Sequence, residues 1–220
     1  MYHIYREQIL NLKIPTLITP DHNNQDILIP GLVMIASPRD GSCLFHSVLR
    51  AFNLDYVKSD TVKRNQLAIR TRHLLANALV SIDPKNGLTY YQTLANGNLA
   101  ALGREFDDYS LGRLQKMLYS TNSVGNEFIE ALSDIFDLDI YIIDTYKKDV
   151  YILGNNSELH YKNRRSIVLA YTQIQDKHYD DGHYDVIGLN TSKGLYTLFA
   201  PDFFLIRSIK NRIERVVKRS

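Results

Sequence analysis

The chain has 220 residues, and its 26 basic and 24 acidic residues leave a formal net charge of +2. A chain of this length forms one domain with its own core and needs no disulfide or metal to do so. The near balance of charge gives no reason to expect a nucleic-acid partner. The single cysteine excludes an internal disulfide and a cysteine-only zinc cluster. We therefore expect no metal, no cofactor and a reducing, cytoplasmic location.

Residues 1–10 lack a basic region followed by an apolar stretch, and no apolar run reaches the roughly 18 residues that cross a bilayer. We expect no signal peptide, no membrane span and a monomer.

The first part of the chain has few regular elements before residue 43. Residues 1–30 are predicted to be an irregular N-terminal extension with three prolines. The apolar run 32–36 suits either a buried strand or the start of a helix, and 37–42 is a turn. Apolar residues then recur at helical spacing and predict a helix over 43–53.

The rest of the chain changes from helical to strand patterns. Helices are expected over 61–82, ending before Pro84, and near 110–119 and 124–137, with an irregular helical arm over 84–110. Strands are predicted at 138–143, 149–153, 166–171, 183–189 and 195–199. Helices first and strands later indicate an α+β fold. The main domain is placed at 31–200, and 201–220 is predicted to be an amphipathic basic helix packed on it.

Cys43 lies where a glycine-containing turn meets a helix. A thiol attacks as the thiolate, and a helix N-terminus lowers the pKa of a thiol. The free N–H groups of such a turn, around Gly41 and Ser42, can hold an oxyanion. The alternative is that Cys43 is a small buried apolar residue.

The sequence offers two copies of His-Tyr-Asp, at 178–180 and 183–185. The second copy leads into an apolar strand, which would hold an imidazole rigidly, so we choose His183 over His178 as the base. Asp185 shares a strand face with His183 and can orient its ring, unless it is only a solvated strand residue. His46, one helical turn after Cys43, is the weaker candidate for the base.

Asp40 has two interpretations. Its carboxylate can cap the helix that starts at Cys43, or it can assist the reaction directly. The sequence favours neither.

The six residues Asp40-Gly41-Ser42-Cys43-Leu44-Phe45 closely resemble the nucleophile motif of the ovarian-tumour (OTU) cysteine proteases, Asp-Gly-(Asn/Ser)-Cys-Leu-Phe. The segment from His183 resembles the family's late strand, His-Tyr-(Asp/Asn)-x-Val/Ile. The segment 124–132 resembles the family's central helix, although Val124 stands where the family has tryptophan. The resemblance covers about residues 30–190.

This resemblance implies a papain-like fold with a central, mostly antiparallel sheet packed between helical regions. It implies a deubiquitinating cysteine protease, with Cys43, His183 and Asp185 as its triad and Asp40 as a further catalytic candidate. The partners would be ubiquitin, polyubiquitin or ubiquitin-like conjugates. A compact chain rich in Asn, Ile, Lys and Tyr suits a virus or intracellular pathogen, whose protein would act in the host cytosol.

The C-terminal tail of ubiquitin is narrow, glycine-ended and basic, so acidic residues are expected to receive it. Asp180 and Asp181 are the first candidates, and Tyr184 beside them is a third substrate-binding candidate. Further acids lie in the arm, at Glu105, Asp107 and Asp108.

Three other functions remain open at this point. The chain could be a catalytically weak OTU-like module that binds ubiquitin without cutting. Its basic C-terminal helix could bind nucleic acid or a membrane surface, which the overall charge disfavours. It could also act on another ubiquitin-like modifier, and chain-linkage preference is not predicted.

Overall fold

In a computed structural model of the protein, the structure describes residues 9–10, 31–97, 110–145, 149–152, 162–172 and 182–217. The helices are α1 Cys43–Phe52, α2 Leu54–Lys58, α3 Thr61–Leu79, α4 Tyr90–Gly97, α5 Leu111–Tyr119, α6 Ile129–Ile135 and α7 Phe204–Val217. The strands are β1 Ile9–Leu10, β2 Leu32–Ile35, β3 Leu138–Asp144, β4 Asp149–Ile152, β5 Arg165–Thr172, β6 His183–Thr191 and β7 Gly194–Tyr196.

The strands form one sheet in the order β1-β2-β6-β5-β3-β4, with β7 also paired to β6. Among the described strands, β3 and β5 pair in parallel and the other neighbours are antiparallel. The predicted α+β fold with a mostly antiparallel sheet is confirmed. The order places β6 near the middle, where its neighbours hold it on both sides.

Side chains of the central strands alternate between two cores, as the pleat requires. Ile140 and Ile142 of β3 pack with residues of α1, α3, α5 and α6 on one face. Tyr141 and Ile143 pack with residues of α7 on the other. The sheet therefore lies between two helical layers, and α1, which begins at Cys43, belongs to the layer with more helices.

Two of the predicted helices have different bounds in the structure. The helix predicted to reach residue 82 ends at Leu79, because Ile82 bridges to Thr89 around a turn that contains Gly87 at φ +71°. The helix predicted for 124–137 is a 3-10 turn, Asn126–Phe128, followed by α6. The open choice at 32–36 is resolved as a strand, β2.

None of the helices in the described part of the chain is both long enough and apolar enough to span a membrane.

Candidate active site

Cys43 is the first residue of α1, and Ser42 is the N-cap of that helix. Leu44, Phe45 and Val48 are fully buried in the core, so the helix start is fixed in place by packing. Cys43 itself is only 4% exposed. The sulfur therefore lies at a helix N-terminus, as predicted, with little open surface around it.

The turn before Cys43 depends on a glycine. Gly41 has a φ of +78°, which favours glycine, and a Cβ at this position would collide with the carbonyl oxygen of Thr121. Asp40 Oδ1 accepts a hydrogen bond from the Ser42 N–H at 3.0 Å. Among the described residues, no acceptor engages the N–H of Gly41 or of Cys43. The Ser42 amide is thus occupied, and the amides of Gly41 and Cys43 are the donors left for an oxyanion.

His183 begins β6, opposite Thr172 at the end of β5. The neighbouring strand β2 pairs with β6 only from Val186 onward, and this leaves the start of β6 beside the N-terminus of α1. His183 Nε2 lies 3.1 Å from Asp185 Oδ1, and Cys43 is close enough to the imidazole to help raise the pKa of His183. Because Nε2 is hydrogen-bonded to Asp185, Nδ1 is the ring nitrogen available to Cys43.

The protonation of His183 is set by these two partners. Burial by itself lowers the pKa of His183, but the hydrogen bonds and negative charges of Asp185 and Cys43 outweigh it and raise that pKa to about 9. The imidazole is therefore protonated at neutral pH. A histidine beside a cysteine is the arrangement that cysteine nucleophiles use, because the imidazole can exchange a proton with the thiol.

Two serines that the sequence reasoning missed hold this arrangement together. The Ser37 N–H donates to Asp185 Oδ1 at 2.8 Å, and Ser47 Oγ donates to the Tyr184 carbonyl at 2.8 Å. The two hydroxyl oxygens are 2.7 Å apart, and since the Ser47 proton is used, Ser37 donates to Ser47. The network joins the end of β2, α1 and β6. The one available signal was Ser47, a small polar residue four positions after Cys43 in an otherwise largely apolar helix.

Asp40 faces a different histidine. Its Oδ2 lies 3.0 Å from His46 Nε2, while His46 Nδ1 lies 2.6 Å from the Tyr56 hydroxyl. Burial lowers the pKa of His46, despite the opposing effect of Asp40. A neutral His46 donates from Nε2 to Asp40 and accepts from Tyr56 at Nδ1. The observed contacts of Asp40 are thus to the turn and to His46.

The structure brings Cys43, His183 and Asp185 together, and it places Asp40, Gly41 and Ser42 in the adjoining turn. Tyr184 is only 2% exposed and its hydroxyl donates to Asn126 Oδ1, so its side chain offers a substrate almost no surface. Its substrate role stays a prediction. The remaining candidates lie outside the described residues: His178, Asp180, Asp181, Glu105, Asp107 and Asp108. Within the described ranges, no group of three His, Cys, Asp or Glu residues is placed to hold a metal ion.

Comparisons with known proteins give one family. The sequence model of a family described as OTU-like cysteine protease matches residues 38–184. A solved ovarian tumour (OTU) domain in complex with ubiquitin is similar in fold, with a TM-score of 0.52 and 17% identity over 82% of this chain and 81% of that one. The OTUD1 OTU domain has a TM-score of 0.42 and 13% identity, over 71% of this chain and 85% of that one. The OTU domain protease of Qalyub virus has a TM-score of 0.39 and 14% identity, over 73% of this chain and 95% of that one. No curated protein sequence matches the chain.

Proposed function

This chain belongs to the OTU-like cysteine protease family, and we propose from that premise that it hydrolyses isopeptide bonds at the C-terminus of ubiquitin or a ubiquitin-like modifier. Cys43 is the nucleophile, His183 the general acid and base, and Asp185 the residue that orients the imidazole. The observation that carries this proposal is the position of the His183 ring, 3.1 Å from Asp185 Oδ1 and close enough to Cys43 for the cysteine to raise its pKa.

The reaction proceeds in two halves. The Cys43 thiolate attacks the carbonyl carbon of the terminal glycine, and the N–H groups of Gly41 and Cys43 stabilise the oxyanion. His183 Nδ1 gives its proton to the departing lysine amine, which leaves a thioester on Cys43. The same nitrogen then takes a proton from water, whose oxygen attacks the thioester. Collapse of the second tetrahedral intermediate releases the carboxylate and restores the thiolate–imidazolium pair.

The small exposed surface at the sulfur supports a glycine-ended substrate. Cys43 and His183 are 4% and 6% exposed. A polypeptide must therefore approach the sulfur as a slender strand, and glycine, which has no side chain, is the slimmest residue available. A relative of the same fold was solved in complex with ubiquitin, and we take ubiquitin, polyubiquitin or ubiquitin-like conjugates as the partners. A thiolate nucleophile also suits the reducing cytoplasm, where we propose that the protein acts.

The test is covalent capture with ubiquitin that carries a C-terminal electrophile. Wild type should gain the mass of one ubiquitin, whereas Cys43→Ala and His183→Gln should gain none or label at least about a hundredfold more slowly. Because Cys43 is the single cysteine, one adduct identifies the nucleophile. Parallel probes built on ubiquitin-like modifiers define the substrate.

The outcomes separate the competing functions. Measurable ubiquitin binding without an adduct would mean a binding module rather than an enzyme. Labelling by a ubiquitin-like probe but not by the ubiquitin probe would support the proposed mechanism and show that the substrate is that modifier rather than ubiquitin.

A further inference from the structure

Arg72 of α3 is a buried cation whose hydrogen-bonding capacity is fully used. The residue is 1% exposed. Its guanidinium makes five hydrogen bonds, which equals the number of its N–H groups. The acceptors are the Leu118 carbonyl at 3.1 Å, the Gly41 carbonyl at 2.9 Å, Ser42 Oγ at 3.1 Å, the Met117 carbonyl at 2.6 Å and the Asn122 carbonyl at 2.9 Å.

These acceptors belong to two segments that meet beside the nucleophile. Gly41 and Ser42 form the turn before Cys43, and the other three acceptors lie at the end of α5 and in the segment after it. The same two segments touch at Gly41, where a Cβ would collide with the Thr121 carbonyl oxygen. Arg72 therefore hydrogen-bonds both the turn before Cys43 and the segment after α5, at a point where the two segments are too close for a Cβ to fit. Its planar fork also rests on the ring of Phe45, 5.4 Å from the ring centroid.

The charge of Arg72 has no carboxylate among its five acceptors. Burial lowers the pKa of Arg72, and the charges of Asp40, Cys43 and Glu127 act in the opposite direction. Among these groups, Cys43 is the one whose charge changes during the proposed reaction. A fixed positive charge near the sulfur stabilises the thiolate more than the thiol, and most strongly in a buried site.

We propose that Arg72 is a positioning residue of the active site: its fork fixes the 40–43 turn so that the Gly41 and Cys43 amides face the substrate carbonyl, and its charge favours the Cys43 thiolate. The proposal rests on Cys43 being the nucleophile. Substitution by lysine separates the effect of the charge from the effect of the hydrogen bonds, because lysine keeps the charge but lacks the planar five-donor guanidinium.

The experiment compares Arg72→Met, Arg72→Lys and a matched control, Arg164→Met. Arg164 also binds several partners, Ser133, Asp134 and Asp139, and its side chain is 14% exposed. It precedes β5, whereas His183 pairs with Thr172 at the other end of that strand, about 25 Å away at roughly 3.3 Å per residue. The control therefore tests loss of a half-buried arginine network far from the sulfur.

Two readouts are needed. The first is the rate of alkylation by iodoacetamide from pH 5 to 10, which reports on Cys43 alone because it is the single cysteine. The second is kcat and KM for ubiquitin with a fluorogenic C-terminal leaving group. The alkylation readout does not depend on the identity of the natural substrate.

Arg72→Met should lower the alkylation rate at pH 6 about tenfold and lower kcat about a hundredfold. Arg72→Lys should keep alkylation at pH 6 within about threefold of wild type, yet lose about tenfold in kcat with little change in KM. Arg164→Met should match wild type in both readouts even if its melting temperature falls.

Several results would overturn the proposal. One is a folded Arg72→Met chain with wild-type alkylation and wild-type kcat. Another is full kcat in Arg72→Lys, which would make the fork irrelevant. Failure of both Arg72 variants to fold, while Arg164→Met folds, would assign Arg72 to structure alone. A wild-type thiol with ordinary reactivity across the pH range would contradict the proposed function itself.

Discussion

The described part of the structure contains two histidine–aspartate pairs whose nitrogen–oxygen distances are nearly equal. In the pair on β6, His183 Nε2 is 3.1 Å from Asp185. In the pair on α1, His46 Nε2 is 3.0 Å from Asp40. The pKa of His183 is raised to about 9, whereas the pKa of His46 is lowered from its ordinary value.

The difference comes from what surrounds each pair. His46 is fully buried, so burial lowers its pKa, and Arg50 and Arg64 act in the same direction. Its partner Asp40 is 39% exposed, so water weakens the attraction that would hold a proton on the ring. His183 instead has a buried carboxylate on one side and the Cys43 sulfur on the other. A short His–Asp distance therefore does not identify a catalytic base, because the exposure of the carboxylate and the other charges around the ring also set the pKa of the histidine.

The largest test of this comparison replaces each histidine by glutamine. His183→Gln should lower kcat/KM for a ubiquitin substrate by about 10³-fold, since a general acid and base contributes roughly 10²–10⁴-fold. His46→Gln should lose less than about tenfold, because an amide can still donate to Asp40. Steady-state kinetics of both variants, with circular dichroism to confirm folding, provides the measurement. A reversed ranking would assign the base to His46.

Asp185→Asn should affect both rate and pH dependence. The carboxylate is one reason why the His183 pKa is raised, so its removal lowers that pKa. Wild-type kcat/KM should decline as pH rises through about 9, where His183 loses the proton that it gives to the leaving amine. In Asp185→Asn this decline should begin at lower pH, and kcat should fall at least about tenfold. An unchanged alkaline limb would mean that another group titrates there.

The same carboxylate links stability to pH. A histidine whose folded pKa is raised stabilises the fold fully below its unfolded pKa of about 6.5, and this contribution is lost as pH rises through about 9. Wild type should therefore lose melting temperature between these pH values relative to Asp185→Asn. Thermal melts across that range measure the difference, and parallel curves for the two chains would contradict it.

Ser47→Ala tests how α1 is attached to β6, with an effect smaller than that of either triad change. The substitution removes the hydrogen bond from the Ser47 hydroxyl to the buried Tyr184 carbonyl and the acceptor of the Ser37 hydroxyl. We expect a loss of about 1–3 kcal/mol in the free energy of unfolding and a decrease of a few-fold in kcat, because Cys43 and His183 then lose their common support. Denaturant unfolding and kinetics measure the two effects. Ser208→Ala, which removes an exposed hydroxyl–carbonyl hydrogen bond within α7, is the matched control and should leave kcat unchanged.

Local patterns predicted many of the elements and the residues brought together at the sulfur, but not α2. Helical spacing after Cys43 and alternation after His183 predicted α1 and β6, because each pattern reflects which face of one element is buried. Segment 32–35 is a strand because it pairs with β6. Helix α3 ends early because Ile82 bridges to Thr89. Strand β6 is distant from β2 in sequence, so no local pattern encodes the first outcome, whereas Ile82 and Thr89 are joined by a short local turn.

The supporting groups of the site were hidden for the same reason. Ser37 reaches Asp185 across 148 positions, and Ser47 reaches Tyr184 across 137. A serine in a turn and a serine in a helix are both ordinary in sequence, and only the fold gives them partners. Asp40 remained undecided because two acceptable neighbours, the turn amide and a histidine, are both within its short reach.

The smallest expected effect decides what Asp40 does. Asp40→Asn keeps an oxygen to accept from the Ser42 N–H, and the neutral His46 ring can exchange its tautomer to accept from the new amide and donate to Tyr56. If Asp40 acts by holding the turn, Asp40→Asn should stay within about threefold of wild-type kcat, while Asp40→Ala, which loses both contacts, should fall about tenfold. If the negative charge assists the reaction directly, the two variants should be equally impaired, since both remove the charge. The kcat values of Asp40→Asn and Asp40→Ala at pH 7 therefore distinguish a role of the Asp40 hydrogen bonds from a role of its charge. Equal losses in the two variants would show that the Asp40–His46 pair is not merely structural.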